Sequence, residues 1–544
     1  MQKLVTAGQA IVDGLVRNGV RQIFGIPGVH TYSLIDALYE RREELSFIGT
    51  RHEQGAAYMA FGYAKASGRV GAYTCVPGPG VLNTTAALCT AYASNAPVLC
   101  VTSEIFSHEI GKVHGILHEL PDQLAILKGL TKWSARINHP TDAPRALARA
   151  FEELLSGRRR PVALECPWDT LGQKALVELD VMPRPIPPPA PDPDAIEQAV
   201  RIISGAASPM IMVGSGALEA GEEVLELAKL LQAPVTAHRG GRGIVSEEAA
   251  YGLGFAAAYP AWLKTDVLVA IGTRMELPFI RWKRLPEGLK IVRIDIDPEE
   301  IPRRPTDVGI VTDARLGTRA LIAALGSKMR ARPSRDSELL ELKARARKEY
   351  EVVQPQLAYL DVIRAVLPRD GFFVEEVSQV GFTARFGFPV YEPRTYVASG
   401  YQDNLGFGYM TSLGVKVANP GKAVVSINGD GGFMFGVQEL ATAVQHRIGS
   451  VALVFNNQSF GNVLRDQKTA FHGHYLGERL RNPDFVKLAE AFGLPAWRCA
   501  SADEFPRRLA DALAQDGPSL IVVPIDYSID VAISETLGAE TVAT

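Results

Sequence analysis

Ala423–Ser459, AVVSINGDGGFMFGVQELATAVQHRIGSVALVFNNQS, is the stretch whose reading decides the fold. It opens on an apolar, β-branched run ending in Asn428, followed by Gly429, Asp430, Gly431 and Gly432. The pattern predicts a helix from about Gly436 to Arg447, then a second buried strand, Val451–Phe455, ending in Asn456 and Asn457. Strand, helix and strand at this spacing make one βαβ unit with parallel strands. Parallel strands bring their C-terminal ends to one edge of the sheet, so Asp430 and Asn457 are expected to converge. That edge is where open α/β sheets take ligands. Gly431 and Gly432 let backbone N–H groups approach a phosphate beside a helix N-terminus that favours anions. A carboxylate and an amide oxygen are hard ligands, and Mg²⁺ completes its shell with water and phosphate oxygens. A capped strand-end turn without a ligand would also read Gly-Asp-Gly. The second strand ending in Asn-Asn at this distance makes the ligand reading far more specific.

Working outward, short β-branched runs alternate with helical patterns in three segments. Strands are expected at Ser46–Thr50, Gly71–Val76, Val98–Ser103 and Pro161–Cys166, then at Met210–Val213, Asp266–Ile271 and Lys290–Ile296. A third set falls at Phe372–Val377, Ala423–Ile427, Val451–Phe455 and Leu520–Pro524. Strands separated by helix-length intervals argue for α/β architecture, here three doubly wound parallel-sheet domains. The proline-rich stretch MPRPIPPPAPDPD, Met182–Asp194, reads as a semi-rigid linker. Ser327–Tyr350, rich in Arg, Lys and Glu, reads as an exposed helical connector. The expected division is 1–180, a linker at 181–194, 195–330, a connector at 331–356, 357–530, and a tail at 531–544.

The chain has 544 residues, 47% hydrophobic and 22% charged, which excludes disorder for most of its length. Lys and Arg number 57 against 60 Asp and Glu, a net charge of −3, so nothing marks a nucleic-acid or anionic-membrane partner. Five cysteines are too few for a disulfide framework in this length, and none forms a C-x-x-C pair. Asp13 interrupts the apolar stripe of the N-terminus, and the longest charge-free run, Val70–Ser103, holds three prolines and two asparagines. Neither suits a signal peptide or a membrane span, and a cytoplasmic protein is expected.

The Ala423–Ser459 segment resembles the diphosphate motif of thiamine-diphosphate-dependent enzymes, especially those like acetohydroxyacid synthase and benzaldehyde lyase. The resemblance covers nearly the whole chain and implies a pyrimidine-binding domain, a middle domain and a diphosphate-binding domain in that order. It implies that Asp430, Asn457 and the backbone carbonyl of Ser459 hold Mg²⁺, which bridges the cofactor diphosphate. Gly429, Gly431, Gly432, Phe460 and Gly461 belong to the same binding segment, and Gln379, in EEVSQVGF, resembles a diphosphate-contacting glutamine. Arg51–Met59 reads RHEQGAAYM. A Glu in a first helical turn is favourable in any protein, but beside this motif Glu53 resembles the carboxyl that hydrogen-bonds N1′ of the aminopyrimidine. Such a carboxyl favours the imino tautomer, whose nitrogen can remove the C2 proton, and the reaction would run through a C2 carbanion/enamine. In TCVPGPGVLN, Pro79 and Asn83 match the lining of the pyrimidine pocket. In ASGYQDNLGFG the match implies that the Asp403 carbonyl accepts from the 4′-amino group and that Leu405 props the bent cofactor. In this family Glu53 of one subunit would face Asp430 of another, so a homodimer or homotetramer is implied.

Departures from the relatives bear on the reaction. His30, in GIPGVH, and His118, in HGILHELPDQ, fall in pocket segments and are favoured as acid–base groups, since histidine titrates near neutrality. His472 and His474, in FHGHY, are weaker pocket candidates, and His114 weaker still. Where acetohydroxyacid synthases have an acceptor-binding arginine this chain has Pro278, with Arg281 nearby; Asp466 replaces their specificity tryptophan. Their GMHG-type flavin stretch is absent, the matching residues reading GLGFAAAYP, so FAD is possible but not favoured. The expected function is 2-oxo acid decarboxylation and/or carboligation, on a small 2-oxo acid, aldehyde or acyloin. Alternatives are an acyloin or diketone lyase or hydrolase, a true acetolactate synthase, and a cofactor-binding protein without catalysis. A nicotinamide dehydrogenase would need a G-x-G-x-x-G turn, which GSGALEAG does not supply.

Overall fold

The computed structural model describes residues 2–526 apart from 283, 327 and 500; the expected tail at 531–544 lies outside the described residues. Three six-stranded sheets organise the chain, every pairing within them parallel. In the N-terminal sheet the order is Ser46–Gly49, Gln22–Gly25, Gly71–Cys75, Val98–Glu104, Val162–Pro167, Trp133–Arg136. In the middle sheet it is Gly252–Leu253, Val235–Ala237, Pro209–Val213, Val267–Ile271, Lys290–Asp295, Val308–Val311. In the C-terminal sheet it is Tyr396–Val397, Phe372–Val374, Val424–Gly429, Val451–Asn456, Ser519–Pro524, Ala496–Arg498. An antiparallel pair, Gln2–Thr6 with Lys174–Glu178, ties the ends of the first domain together. The central strands are apolar throughout because helices cover both faces of each sheet.

The middle domain has its own core. The first and third domains share one. Tyr58, Phe61 and Ala64 of helix Glu53–Ser67 lie in the same buried cluster as Tyr409, Met410 and Leu413 of helix Gly408–Ala418. The two helices touch backbone to backbone. A Cβ at Gly62 would sit 2.1 Å from the Thr411 carbonyl oxygen, and one at Gly414 would sit 1.9 Å from that of Met59. Helix Glu53–Ser67 is buried on nearly every side for this reason.

One expectation needs correction. The helix expected over Gly436–Arg447 is a single turn, Asp430–Phe433, then i→i+3 turns, then helix Glu439–Gln445. Gly436 packs so closely on Met410 that a Cβ there would meet its side chain at 2.8 Å, and the chain follows that surface before a regular helix forms. Strands of two to four residues, such as Tyr396–Val397 and Gln22–Gly25, also escape the sequence reading, being too short to show a period. Residues 181–192 carry no regular structure and Asp192 caps a helix that starts at Pro193. Within the connector, helix Asp336–Tyr350 buries little beyond Leu339 and Ala346.

Candidate active site

At the C-terminal sheet, strands Val424–Gly429 and Val451–Asn456 lie side by side with Gly429 opposite Phe455, so the Asp430 turn and the Asn456–Asn457 end share one edge. Asp430 is 1% exposed. Burial pushes its carboxyl up, against a hydrogen bond from Asn482 that holds it down. Asn482 Nδ2 donates to Asp430 Oδ2 at 2.6 Å and to Asn456 Oδ1 at 3.0 Å, a bridge across the two strand ends. The Asn457 amide turns back on Ser459, its Nδ2 2.6 Å from Ser459 Oγ and its Oδ1 accepting from Ser459 N at 3.3 Å. A Cβ on Gly431 would lie 2.4 Å from the Phe460 ring, and one on Gly432 would lie 2.9 Å from Glu376 Oε1. Gly461 begins the helix Gly461–Thr469. Gln379 opens the helix Gln379–Gly387, and its buried Nε2 has no protein partner. An orphaned buried donor beside a glycine-lined turn suits an anionic oxygen. Among the described residues no cluster of three or more His, Cys, Asp or Glu could hold a metal unaided. Mg²⁺ takes few protein oxygens and completes its shell with water and phosphate. The residues present therefore fit a Mg²⁺–diphosphate group.

The Asp403–Leu405 loop is fastened from several sides. Asp403 adopts φ +44°. Its carboxylate takes two 2.7 Å bonds from Arg239 of the middle domain and one of 2.8 Å from Arg385, which commits the side chain. Those guanidinium groups hold the Asp403 carboxyl below its usual range, against the burial that would raise it. Asn404 accepts from Thr90 Oγ1 at 3.0 Å and also bonds the Tyr58 hydroxyl. Beyond half-buried Leu405, the N–H groups of Gly406 and Gly408 donate to the two oxygens of buried Glu376 at 2.6 and 2.5 Å.

At the N-terminal sheet, Glu53 is the first residue of its helix, capped by His52. The Glu53 carboxylate accepts from Asn83 Nδ2 at 3.0 Å. Asn83 ends a short helix that starts at Pro79, where a missing N–H costs nothing. Gly78, at φ +63°, donates its N–H to Gln123 Oε1 at 2.8 Å. Gln123 in turn donates to Glu165 Oε2 at 3.0 Å, and Arg136 Nε meets Glu165 Oε1 at 2.6 Å. Behind them burial lifts the Glu104 carboxyl to about 7. A Cβ on Gly78 would sit 2.4 Å from the His118 carbonyl, which brings the 113–120 loop onto the Gly78 turn.

His30 and His118 meet, Nδ1 to Nδ1, at 3.3 Å. Both sit at positive φ, +77° and +68°, a conformation that non-glycine residues hold only where the surroundings enforce it. His30 is buried and stacks edge-on against Trp168 with centroids 4.8 Å apart. Burial first, and the neighbouring His118 second, lower its pKa. The other histidines are placed differently. His114 pairs with Glu109 at 2.7 Å on the exposed surface. His472 and His474 are exposed, 6.1 Å apart, beyond the helix Gly461–Thr469. Asp466 is taken up by Arg465 at 3.0 and 2.9 Å. Arg281 is held by Glu276 Oε1 at 3.2 and 3.1 Å, and Pro278 lies in the same turn.

Sequence reasoning missed Gln123, Glu376, Glu439 and Asn482, all engaged with the segments above. Their one signal was polarity inside otherwise apolar or loop-like stretches. The middle domain adds a cleft at the carboxyl ends of Pro209–Val213 and Val267–Ile271, lined by Ser215, Thr273, Arg274, Arg158 and Lys65. Among the residues that line it, Asn95 Oδ1, Arg158 Nη1 and Arg239 Nε are buried without a hydrogen-bond partner.

Comparison with known proteins shows the family. Family profiles of the thiamine pyrophosphate enzymes match in three pieces: the N-terminal TPP-binding domain over residues 5–126, the central domain over 196–321, and the C-terminal TPP-binding domain over 376–523. A probable 2-ketoarginine decarboxylase (AruI) of Pseudomonas aeruginosa is 34% identical over 96% of this chain and 94% of its own. A probable acetolactate synthase large subunit of Methanocaldococcus jannaschii is 33% identical, covering 95% of this chain and 91% of its own. The acetolactate synthase of Arthrospira platensis is 31% identical over 97% and 95%. Among the described residues no helix is long and apolar enough to cross a membrane. The chain belongs to the thiamine-diphosphate-dependent enzymes, in the acetohydroxyacid-synthase-like group, with thiamine diphosphate as its cofactor.

Proposed function

We propose that this enzyme is a Mg²⁺-dependent 2-oxo acid decarboxylase that releases an aldehyde or passes it to a second carbonyl compound. The observation that carries this reading is the paired His30 and His118, together with the commitment of Arg281 to Glu276. An acceptor 2-oxo acid needs its carboxylate held, which arginine does best through a two-pronged contact. Pro278 offers no such contact and Arg281 is already engaged. A decarboxylase needs proton donors and acceptors instead. In a neutral pair joined Nδ1–H to Nδ1, one ring presents Nε2 as an acceptor and the other presents Nε2–H as a donor. Burial, and the neighbouring His118 after it, lower the pKa of His30 and favour its neutral form, which suits proton exchange through a hydrogen-bonded pair.

The remaining roles rest on the family resemblance. Asp430, Asn457 and the Ser459 carbonyl would hold Mg²⁺, with Gln379 and the glycine turn receiving the diphosphate. Pro79, Asn83, the Asp403 carbonyl and Leu405 would hold the pyrimidine, and Glu53 would share its proton with N1′. Thiamine diphosphate, when bound, supplies an acidic carbon that adds to the substrate carbonyl and accepts the electron pair left by CO₂. Trp168 packs edge-on against His30, and Phe106 lies against Trp168 with ring centroids 4.8 Å apart. A homodimer, with Glu53 and Asp430 of different subunits completing each site, is the smallest assembly this reading allows. The absent flavin stretch argues against a flavin ring in the middle-domain cleft, and a purified protein with stoichiometric flavin absorbance would refute that.

A screen of 2-oxo acids with thiamine diphosphate and Mg²⁺, reading CO₂ and carbonyl products, tests the proposal. The first relative named above, a 2-ketoarginine decarboxylase, makes basic 2-oxo acids a natural part of the set. If pyruvate gives acetolactate with the highest kcat/KM of the set, the reaction assignment falls.

A further inference from the structure

The turn that presents Glu53 is held from another domain. Glu439 begins the helix Glu439–Gln445 of the C-terminal domain and is 0% exposed. Its carboxylate accepts the Arg51 N–H on both oxygens, at 3.2 and 3.1 Å, and the His52 N–H at 2.9 Å. Thr442 Oγ1 donates to Oε2 as well. Gly55 makes the room, since a Cβ there would fall 2.4 Å from Glu439 Oε1. Arg51 reaches the same helix a second time through Gln445 Oε1 at 2.7 Å.

These bonds sit at the helix start that sets the direction of Glu53. Helix N-termini leave backbone donors unsatisfied, and here the two donors immediately before Glu53 are satisfied by one carboxylate. Glu53 itself is half-buried and takes its bond from Asn83, so its aim depends on where the backbone begins its first turn. Packing alone would be served by an apolar side chain, as elsewhere in the LATAV run that follows. A buried carboxylate is opposed by desolvation, which pushes the Glu439 pKa up, and its retention needs the converging N–H donors.

We propose that Glu439 is a positioning residue that fixes the Arg51–His52 backbone and thereby aims the Glu53 carboxyl at the cofactor pyrimidine. This rests on the reading of Glu53 as the activating acid. The C-terminal domain thus also grips the activating turn of its own chain.

Glu439→Gln is the direct test, because an amide NH₂ would face the N–H donors that a carboxylate accepts. Three readouts are taken: amide hydrogen exchange of residues 51–53 without cofactor, calorimetric affinity for thiamine diphosphate with Mg²⁺, and the C2-proton exchange rate of the loaded enzyme by NMR. The expected result is lost amide protection, affinity within about threefold of wild type, and C2 exchange slowed about tenfold or more, the scale on which small misplacements act. Glu439→Asp should recover part of the exchange rate. Gly55→Ala, which crowds the carboxylate without removing it, should slow exchange in the same direction and carries the test if Glu439→Gln does not fold. Wild-type C2 exchange in Glu439→Gln and Gly55→Ala overturns the proposal, as does a loss of affinity that accounts for the whole effect. Glu53→Gln in parallel separates the two ideas. Exchange lost there but kept in Glu439→Gln overturns the positioning role alone. Wild-type exchange in Glu53→Gln overturns the reading of Glu53 and the positioning role with it.

Discussion

The N-terminal and C-terminal domains present the same kind of surface, the carboxyl edge of a six-stranded parallel sheet, and build it in different ways. The C-terminal edge comes chiefly from one contiguous segment, Gly429–Ser459, with glycines where a Cβ would strike Phe460 or Glu376. The N-terminal edge is assembled from five separated stretches that carry His30, Glu53, Asn83, His118 and Trp168. Binding a diphosphate needs close backbone approach and hard oxygens, which a single turn and a strand end can supply. Acid–base work needs side chains to converge from several directions, which only tertiary packing arranges. The first edge is expected to govern affinity and the second to govern rate.

Substitutions that separate these quantities sharpen the comparison. Glu53→Gln should lower kcat by about 10²–10⁴, the span of general acid–base contributions, while cofactor affinity stays within a few-fold. Steady-state assays beside calorimetry check this. Asp430→Ala should show the opposite pattern. Losing a buried charged partner costs about 3–5 kcal/mol, or about 10²–10⁴ in the cofactor concentration required. Unchanged calorimetric affinity for metal and cofactor would break the assignment of that edge.

His30→Phe should lower kcat by about 10²-fold with little change in cofactor affinity. The pH response has a definite sign. Because burial and His118 lower the pKa of His30, the unfolded chain binds that proton more readily than the native one. Stability is therefore intact above the ordinary histidine value of about 6.5 and falls as pH drops below it. NMR titration should place His30 below that value and show it rising in His118→Phe. The smallest effect is expected for Arg281→Ala, about twofold or less on decarboxylation, since that side chain serves Glu276.

The contrast between the edges also explains what could be read before folding. The βαβ reading of Ala423–Ser459 places Asp430 and Asn457 correctly at adjacent strand ends, because a local period and a glycine turn encode it. The three parallel sheets follow from strand spacing in the same way. The Glu439 contact with Arg51 and His52 crosses most of the chain and has no local signature. Neither does Asn482, whose amide bridges Asp430 and Asn456 from a loop. His30 and His118 stood out by residue type, but their 3.3 Å approach depends on two left-handed backbone turns that sequence periodicity does not express.

The central claim is that Glu53 activates the cofactor and the Asp430 edge merely holds it. The most direct measurement is the C2-proton exchange rate of thiamine diphosphate bound to Glu53→Gln at saturating cofactor and Mg²⁺, followed by NMR beside the wild-type enzyme. The account predicts a fully loaded variant whose exchange is slower by about 10² or more. A loaded variant exchanging at the wild-type rate would contradict it.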